Sequence, residues 1–238
     1  MAKMVGYACH IRLPWLKKAV ELLDNNLDEE TYKKELNEYL AFEIDSPTRL
    51  RKTREILMNI WYYESDDIAP FRQEAKELIE KYPDYFAAIN LCLLYLAYPV
   101  VADICKFMGR IFNYHDEVTN ATLKQKLYDA WGERGTLETT SRRVTLTLKE
   151  LGILYDSTRT RYGLNKTEII PYQVVAFLIS IAMQLDGNSY YTFVELTEFE
   201  VLFPFEYTIS KERLLTDELE GYAEYKSRVK WRLVPFVW

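Results

Sequence analysis

The chain has 238 residues, 49% of them hydrophobic and 28% charged, with a formal net charge of −6. This composition excludes a disordered tail and provides enough apolar side chains for one large core or two to three small ones. It also excludes a surface coated in positive charge, so any nucleic-acid contact must come from local basic patches on an acidic background.

The first residues, Met1-Ala2-Lys3-Met4-Val5-Gly6, lack a long apolar region before a cleavage-like site, which predicts no signal peptide and a cytoplasmic location. Pro14-Trp15-Leu16 opens a short helix through Leu23. Asp28 caps a second helix, with Tyr32, Leu36, Tyr39 and Leu40 at helical spacing, and the two pair as a helical hairpin. Ser46-Pro47 starts a third helix that runs to about Tyr63, its apolar stripe being Leu50, Leu57, Ile60 and Trp61. Residues 46–55 hold Arg49, Arg51, Lys52 and Arg54 against Glu55 alone. Arg51 and Lys52 fall opposite the stripe, solvated and placed for phosphate, although cations at a helix start oppose the macrodipole. The competing reading is a solvated face, or partners for the acidic first two helices.

Asp66-Asp67 and Pro70 lead into a polar helix that ends at Tyr82-Pro83-Asp84. The apolar stretch 85–102 follows. Asn90 and Pro99 interrupt it, tyrosine recurs in it and Asp103 comes directly after, so it reads as a buried helix rather than a membrane span. Pro99 should kink or break it before residues 100–114 continue as a helix.

Residues 119–164 are the most informative stretch. Thr119 and Asn120 cap a helix with Leu123, Leu127, Ala130 and Trp131 on one face and Gly132 at its end. After the turn Glu133-Arg134-Gly135, Thr136 caps a second helix to Leu151 that gathers Leu137, Val144, Leu148 and Leu151, with Thr140 and Ser141 at its margins. At 100° per residue, Thr139, Arg142, Leu146 and Lys149 point away from that face, with Arg143 and Thr145 at its flanks. Ile153-Leu154-Tyr155 and Tyr162-Gly163-Leu164 read as two strands around a tip that carries Arg159 and Arg161. The segment holds eight Lys/Arg against five Asp/Glu, a local +3 within an acidic chain. Two helices followed by a basic hairpin predict a winged helix-turn-helix that binds duplex DNA, because phosphate contacts supply most nonspecific affinity and Thr or Arg at a helix front reaches base edges. A purely structural or dimerising helix pair is the competing reading.

Pro171 begins an apolar helix, and Leu185-Asp186-Gly187-Asn188-Ser189 is the clearest loop. Beyond it come an aromatic stretch 190–205, a helix capped at Ser210 and a strand-like run 229–234, together resembling a second, degenerate helix-plus-wing unit. From 186 onward ten Asp/Glu face six Lys/Arg, which favours packing or protein contacts over DNA.

Chemistry is sparse. There is no phosphate-cradling glycine loop, Gly-x-Ser-x-Gly elbow, His-Glu-x-x-His helix or dinucleotide fingerprint, and only two histidines, so neither enzymatic activity nor a cofactor is expected. Cys9-His10, and Cys105 with His115, lack metal-site spacing, and Glu195, Glu198 and Glu200 with Asp186 read as a surface segment, so no metal is expected either. Three cysteines, an odd number, suit a reducing compartment.

The order of features resembles the BrxA family, small helical accessory proteins of BREX anti-phage systems. The likeness is carried by the N-terminal helical hairpin, by Ser-Pro-Thr-Arg-Leu-Arg-Lys-Thr-Arg-Glu-Ile-Leu at 46–57, and by the apolar helix running into Asp103-Ile104-Cys105-Lys106-Phe107. Leu123-Lys124-Gln125-Lys126-Leu127 and Leu148-Lys149-Glu150-Leu151-Gly152-Ile153-Leu154 complete it, so it spans roughly residues 14–155. It implies a non-enzymatic, cytoplasmic DNA-binding component of a phage-defence locus, with other proteins of that locus as partners.

The expected architecture is therefore mainly α: an N-terminal helical domain over 1–115, a winged helix over 116–170 and a mixed α/β, mainly helical C-terminal unit over 171–238. The expected partner is double-stranded DNA, held by Thr139, Arg142, Arg143, Lys149, Arg159 and Arg161, with Arg51 and Lys52 as a second cluster. A winged-helix transcription regulator with a helical sensor domain, or a scaffold that binds no DNA, are the alternatives.

Overall fold

Asp28 and Ser46 each turn a side-chain oxygen back onto an amide of the helix that follows. Asp28 accepts from the Thr31 N–H at 2.8 Å and Ser46 from the Arg49 N–H at 3.4 Å, each cap being worth about 1 kcal/mol. They start α2 (Glu29–Ala41) and α3 (Pro47–Trp61), which pack with α1 (Leu13–Leu23). The buried Tyr32 hydroxyl donates to the Ala19 carbonyl at 2.7 Å and closes the predicted α1–α2 hairpin. Leu57, Ile60 and Trp61 of the α3 stripe are buried, and Leu50, nearer its start, is half-buried.

The computed structural model describes residues 6–65, 67–133, 135–188 and 191–209; among these are ten α-helices and five short strands, a mainly helical fold. α4 (Ala69–Lys81) docks through Arg72, which donates to the Ile60 and Asn59 carbonyls at 2.8 and 3.0 Å near the end of α3. α5 (Phe86–Ala97) is apolar all round and therefore central. It lies among α3, α4, α6 and α9, and its one polar interior residue, Asn90, accepts the Trp61 indole N–H at 2.9 Å and donates to the Phe86 carbonyl.

Pro99 breaks the apolar stretch outright. It occupies the first position of α6 (Pro99–Phe112), and the path bends by 119° between 83–97 and 99–112. No single helix among the described residues is long and apolar enough to cross a membrane. Gly109 of α6 lets a 3-10 turn (Glu200–Leu202) approach closely, since a Cβ there would stand 2.2 Å from the Glu200 carbonyl oxygen.

The middle of the chain runs β1 (Glu117–Thr119), α7 (Asn120–Trp131), α8 (Gly135–Glu150), β2 (Leu154–Thr158) and β3 (Arg161–Leu164). Two details depart from the sequence-based expectation. α8 starts at Gly135, so Thr136 lies inside the helix rather than capping it, a two-residue shift of the kind helix ends commonly show. The hairpin strands extend into the expected tip, and β1 adds a third strand, giving an antiparallel sheet in the order β1-β3-β2. A bulge between Asp156 and Thr158 adjusts the β2–β3 register.

β4 (Thr167–Ile169) pairs in parallel with β5 (Phe205–Tyr207). Between them α9 (Tyr172–Asp186), which ends at Gly187 with φ 77°, packs on α4 and α5, and α10 (Phe193–Thr197) opens with a Thr192–Glu195 capping box. One hydrophobic cluster runs through all these elements from Tyr7 to Phe205. The helix expected from Ser210 and the strand expected over 229–234 lie outside the described residues. Cys9, Cys92 and Cys105 are buried free thiols; burial raises the Cys92 thiol and pushes Cys105 up to about 12.

Candidate functional site

The helix pair α7–α8 and the sheet beside it are joined from the inside. The Thr119 hydroxyl accepts from the Thr122 N–H at 3.1 Å to start α7, and Leu123 and Leu127 are buried against the Leu137, Val144 and Leu148 side. Burying each of these side chains contributes about 1.5–3 kcal/mol. α8 also buries four hydroxyls, Thr140, Ser141, Thr145 and Thr147. Thr145 reaches the Asn120 side-chain oxygen at 3.2 Å and the Ser141 carbonyl at 3.1 Å, while Asn120 donates to the Tyr162 hydroxyl at 2.8 Å. Asn120 thus joins the start of α7 to both α8 and β3.

On the other side of α8 the predicted stripe faces outward. Arg142 is exposed, Leu146 is 37% exposed, and Thr139 is half-buried. Thr145, expected at a flank, is turned inside by its hydrogen bonds. Lys149 lies in the stripe but is engaged: its ammonium stands 2.6 Å from the Asp156 carboxylate and 5.9 Å from the centre of the Tyr162 ring. That ion pair sets the β2–β3 hairpin beside the C-terminal end of α8.

At the hairpin, Arg159 is exposed at the turn and, among the described residues, no ion pair holds it. Arg161 pairs with Glu117 of β1 at 2.9 Å, and Ser157 also donates to Glu117. The Ser157 hydroxyl, and then Arg161, hold the Glu117 carboxyl below its ordinary range. On the first turn of α8, Glu138 is similarly lowered, chiefly by its hydrogen bond from Lys124 of α7 and least by the field of Arg142.

Arg143 sits half-buried on the opposite flank, donating to the Tyr7 carbonyl at 3.1 Å. Arg51 and Lys52 are exposed on α3, and among the described residues no ion pair holds either; their neighbour Arg54 is paired with Glu55 at 2.6 Å. Of the eight predicted residues, then, Arg142, Arg159, Arg51 and Lys52 stand as solvated cations, Lys149 and Arg161 are paired with carboxylates inside the chain, and Arg143 gives one N–H to a carbonyl while no ion pair holds it among the described residues. Glu117, Asn120 and Asp156 organise the site without having been singled out for it, because their partners lie 7 to 44 residues away.

Among the described residues no group of three His, Cys, Asp or Glu side chains could hold a metal ion. Chemically, the arrangement offers cations and a small apolar side chain on one helix face, with a basic hairpin turn beside it. No protein-family model, curated protein or solved structure matches the chain.

Proposed function

We propose that the chain binds duplex DNA through a winged helix over residues 116–170, with α8 as the helix that enters the major groove and the β2–β3 hairpin as the wing. The observation that carries this reading is the outward face of α8, where Thr139, Arg142 and Leu146 are left at least partly uncovered by the rest of the chain while the hairpin flanks them. Such a face combines a cation for phosphate or guanine, a hydroxyl for base edges, and an apolar contact for a thymine methyl. The local excess of Lys/Arg within an acidic chain orients the encounter.

The motifs that resemble the BrxA family make a non-enzymatic accessory role in a cytoplasmic phage-defence system the biological setting we infer, with other proteins of that system as partners. A winged-helix regulator is the second reading. It is favoured by an open cleft of about 410 Å³ between α6 and α7, lined by Phe107, Ile111 and Tyr114 together with His115 and Lys126, directly before the proposed reading helix. A regulator would form a dimer on paired half-sites, whereas the accessory binds a single duplex segment with little sequence preference.

The test is fluorescence anisotropy on labelled duplex across a salt series, with the parent protein and the Arg142→Ala/Arg159→Ala double variant. Each lost phosphate contact lowers the log–log slope by about 0.9, so the double variant should lose roughly two units. A folded double variant that matches the parent at every salt concentration would refute DNA binding by this face and favour a scaffold.

A further inference from the structure

The outward stripe of α8 has two flanks of different make. Helical spacing puts Arg142 and Lys149 on one side, where Lys149 holds Asp156 of the hairpin. Arg143, Thr147 and Glu150 lie on the other, and there residues 7–12 run alongside the helix as a strap. Arg143 donates to the Tyr7 carbonyl at 3.1 Å, and Thr147 meets the Tyr7 hydroxyl at 2.9 Å and the Ile11 N–H at 3.0 Å; Arg12 reaches Glu150 at 3.2 Å.

The strap's other edge touches the start of α3, where the Cys9 sulfur lies 4.0 Å from the Arg49 carbonyl oxygen. The basic first turns of α3 are thereby brought beside α8, from which they are some 90 residues distant in sequence. His10 follows Cys9 on the strap, with its ring stacked on Trp15 at 6.1 Å. Burial lowers its pKa, as do the charges of Arg49 on α3, Arg12 on the strap and Arg143 on α8, while Glu150 of α8 opposes them. Arg12 is already bound to Glu150 and to Glu43, and among the described residues no ion pair holds the exposed Arg49. That leaves Arg49 and Arg143, which no ion pair holds among the described residues, as like charges that repel one another unless a further anion lies between them.

An α-helix is about 10–12 Å across and the major groove about 12 Å wide, so a helix seated there has a phosphate ridge on each flank. We propose that Arg49, Arg143 and His10 form a second phosphate-binding site that holds the DNA strand on the side of α8 away from the wing. The proposal rests on the duplex-binding reading of α8 and extends its footprint to both ridges of one groove.

Three single variants, Arg49→Ala, Arg142→Ala and Arg159→Ala, separate the two ideas on the same labelled duplex. The Arg49 side chain is exposed and without an ion pair among the described residues, so its truncation should leave the melting temperature unchanged. Arg49→Ala should lower the salt slope by about 0.9, Arg49→Lys should retain it, and the loss should add to that of Arg159→Ala. In hydroxyl-radical footprints, Arg49→Ala should lose protection on one strand and Arg159→Ala on the strand across the groove. If Arg142→Ala lowers the slope while Arg49→Ala keeps the parent's slope and footprint, the strap site is overturned and the reading of α8 stands. If none of the three changes slope or footprint, both are overturned.

Discussion

Lys149 of α8 and Asp156 of β2 are locked at 2.6 Å, the first pointing from the proposed reading helix and the second from the hairpin. On the surface proposed to meet phosphate, this carboxylate would compete with DNA for the same ammonium. Asp156→Ala should therefore tighten duplex binding and steepen the salt slope by up to about 0.9, the signature of one further phosphate contact. Its effect on stability should be small, about 0–1 kcal/mol, because both side chains are partly solvated. Weaker binding by a folded Asp156→Ala protein would mean that the pair positions the hairpin more than it restrains Lys149.

Glu117 ties β1 to the β2–β3 hairpin through Ser157 and Arg161. Its folded pKa lies below the ordinary 4.5, first because of the Ser157 hydroxyl and then because of Arg161. A carboxyl lowered in this way contributes stability that is fully present above its unfolded pKa and is lost as pH falls through the lowered folded value. The tether should thus be constant at neutral pH and weaken only in acid. Carboxyl-resolved NMR titration should find Glu117 below 4.5 in the parent and nearer that value in Arg161→Ala; an unmoved titration would show that Arg161 does not hold it.

Gly109 is a packing contact rather than a hinge. A methyl group there would meet the Glu200 carbonyl oxygen at 2.2 Å and the Phe203 Cβ at 3.0 Å, the first of these being backbone that cannot simply rotate away. Gly109→Ala should destabilise the protein by about 1–3 kcal/mol, the usual range for overpacking, despite the better helix propensity of alanine. Urea denaturation measures it, and a variant as stable as the parent would show that the 200–203 segment shifts without cost.

The elements that could be read from sequence are those whose causes are local. Asp28, Ser46 and Thr119 announce helix starts because the amide they cap lies three residues on, and Pro99 announces a break because its ring forbids the helix from continuing through it. β1 was missed for the opposite reason: Glu117-Val118-Thr119 is too short to show alternation, and its partner strand comes more than 40 residues later. In the site, helical spacing identified the exposure of Arg142 and Leu146. It could not foresee that Lys149 and Arg161 would be held by Asp156 and Glu117, or that buried Tyr7 and Ile11 would seat a strap on Thr147. Those facts belong to tertiary pairing, which no single window of sequence contains.

The three buried thiols also divide the protein into a shell and an interior. Cys9 is on the strap, with its sulfur turned toward α3, whereas Cys92 and Cys105 lie in the central helices α5 and α6. An alkylating reagent can reach each sulfur only when its surroundings open, so labelling rates become clocks for two different events. Peeling of the strap would modify Cys9 alone, and only wholesale unfolding would modify the inner pair. Bound duplex that clamps the strap should slow the first clock selectively, reporting occupancy of that flank from within the protein.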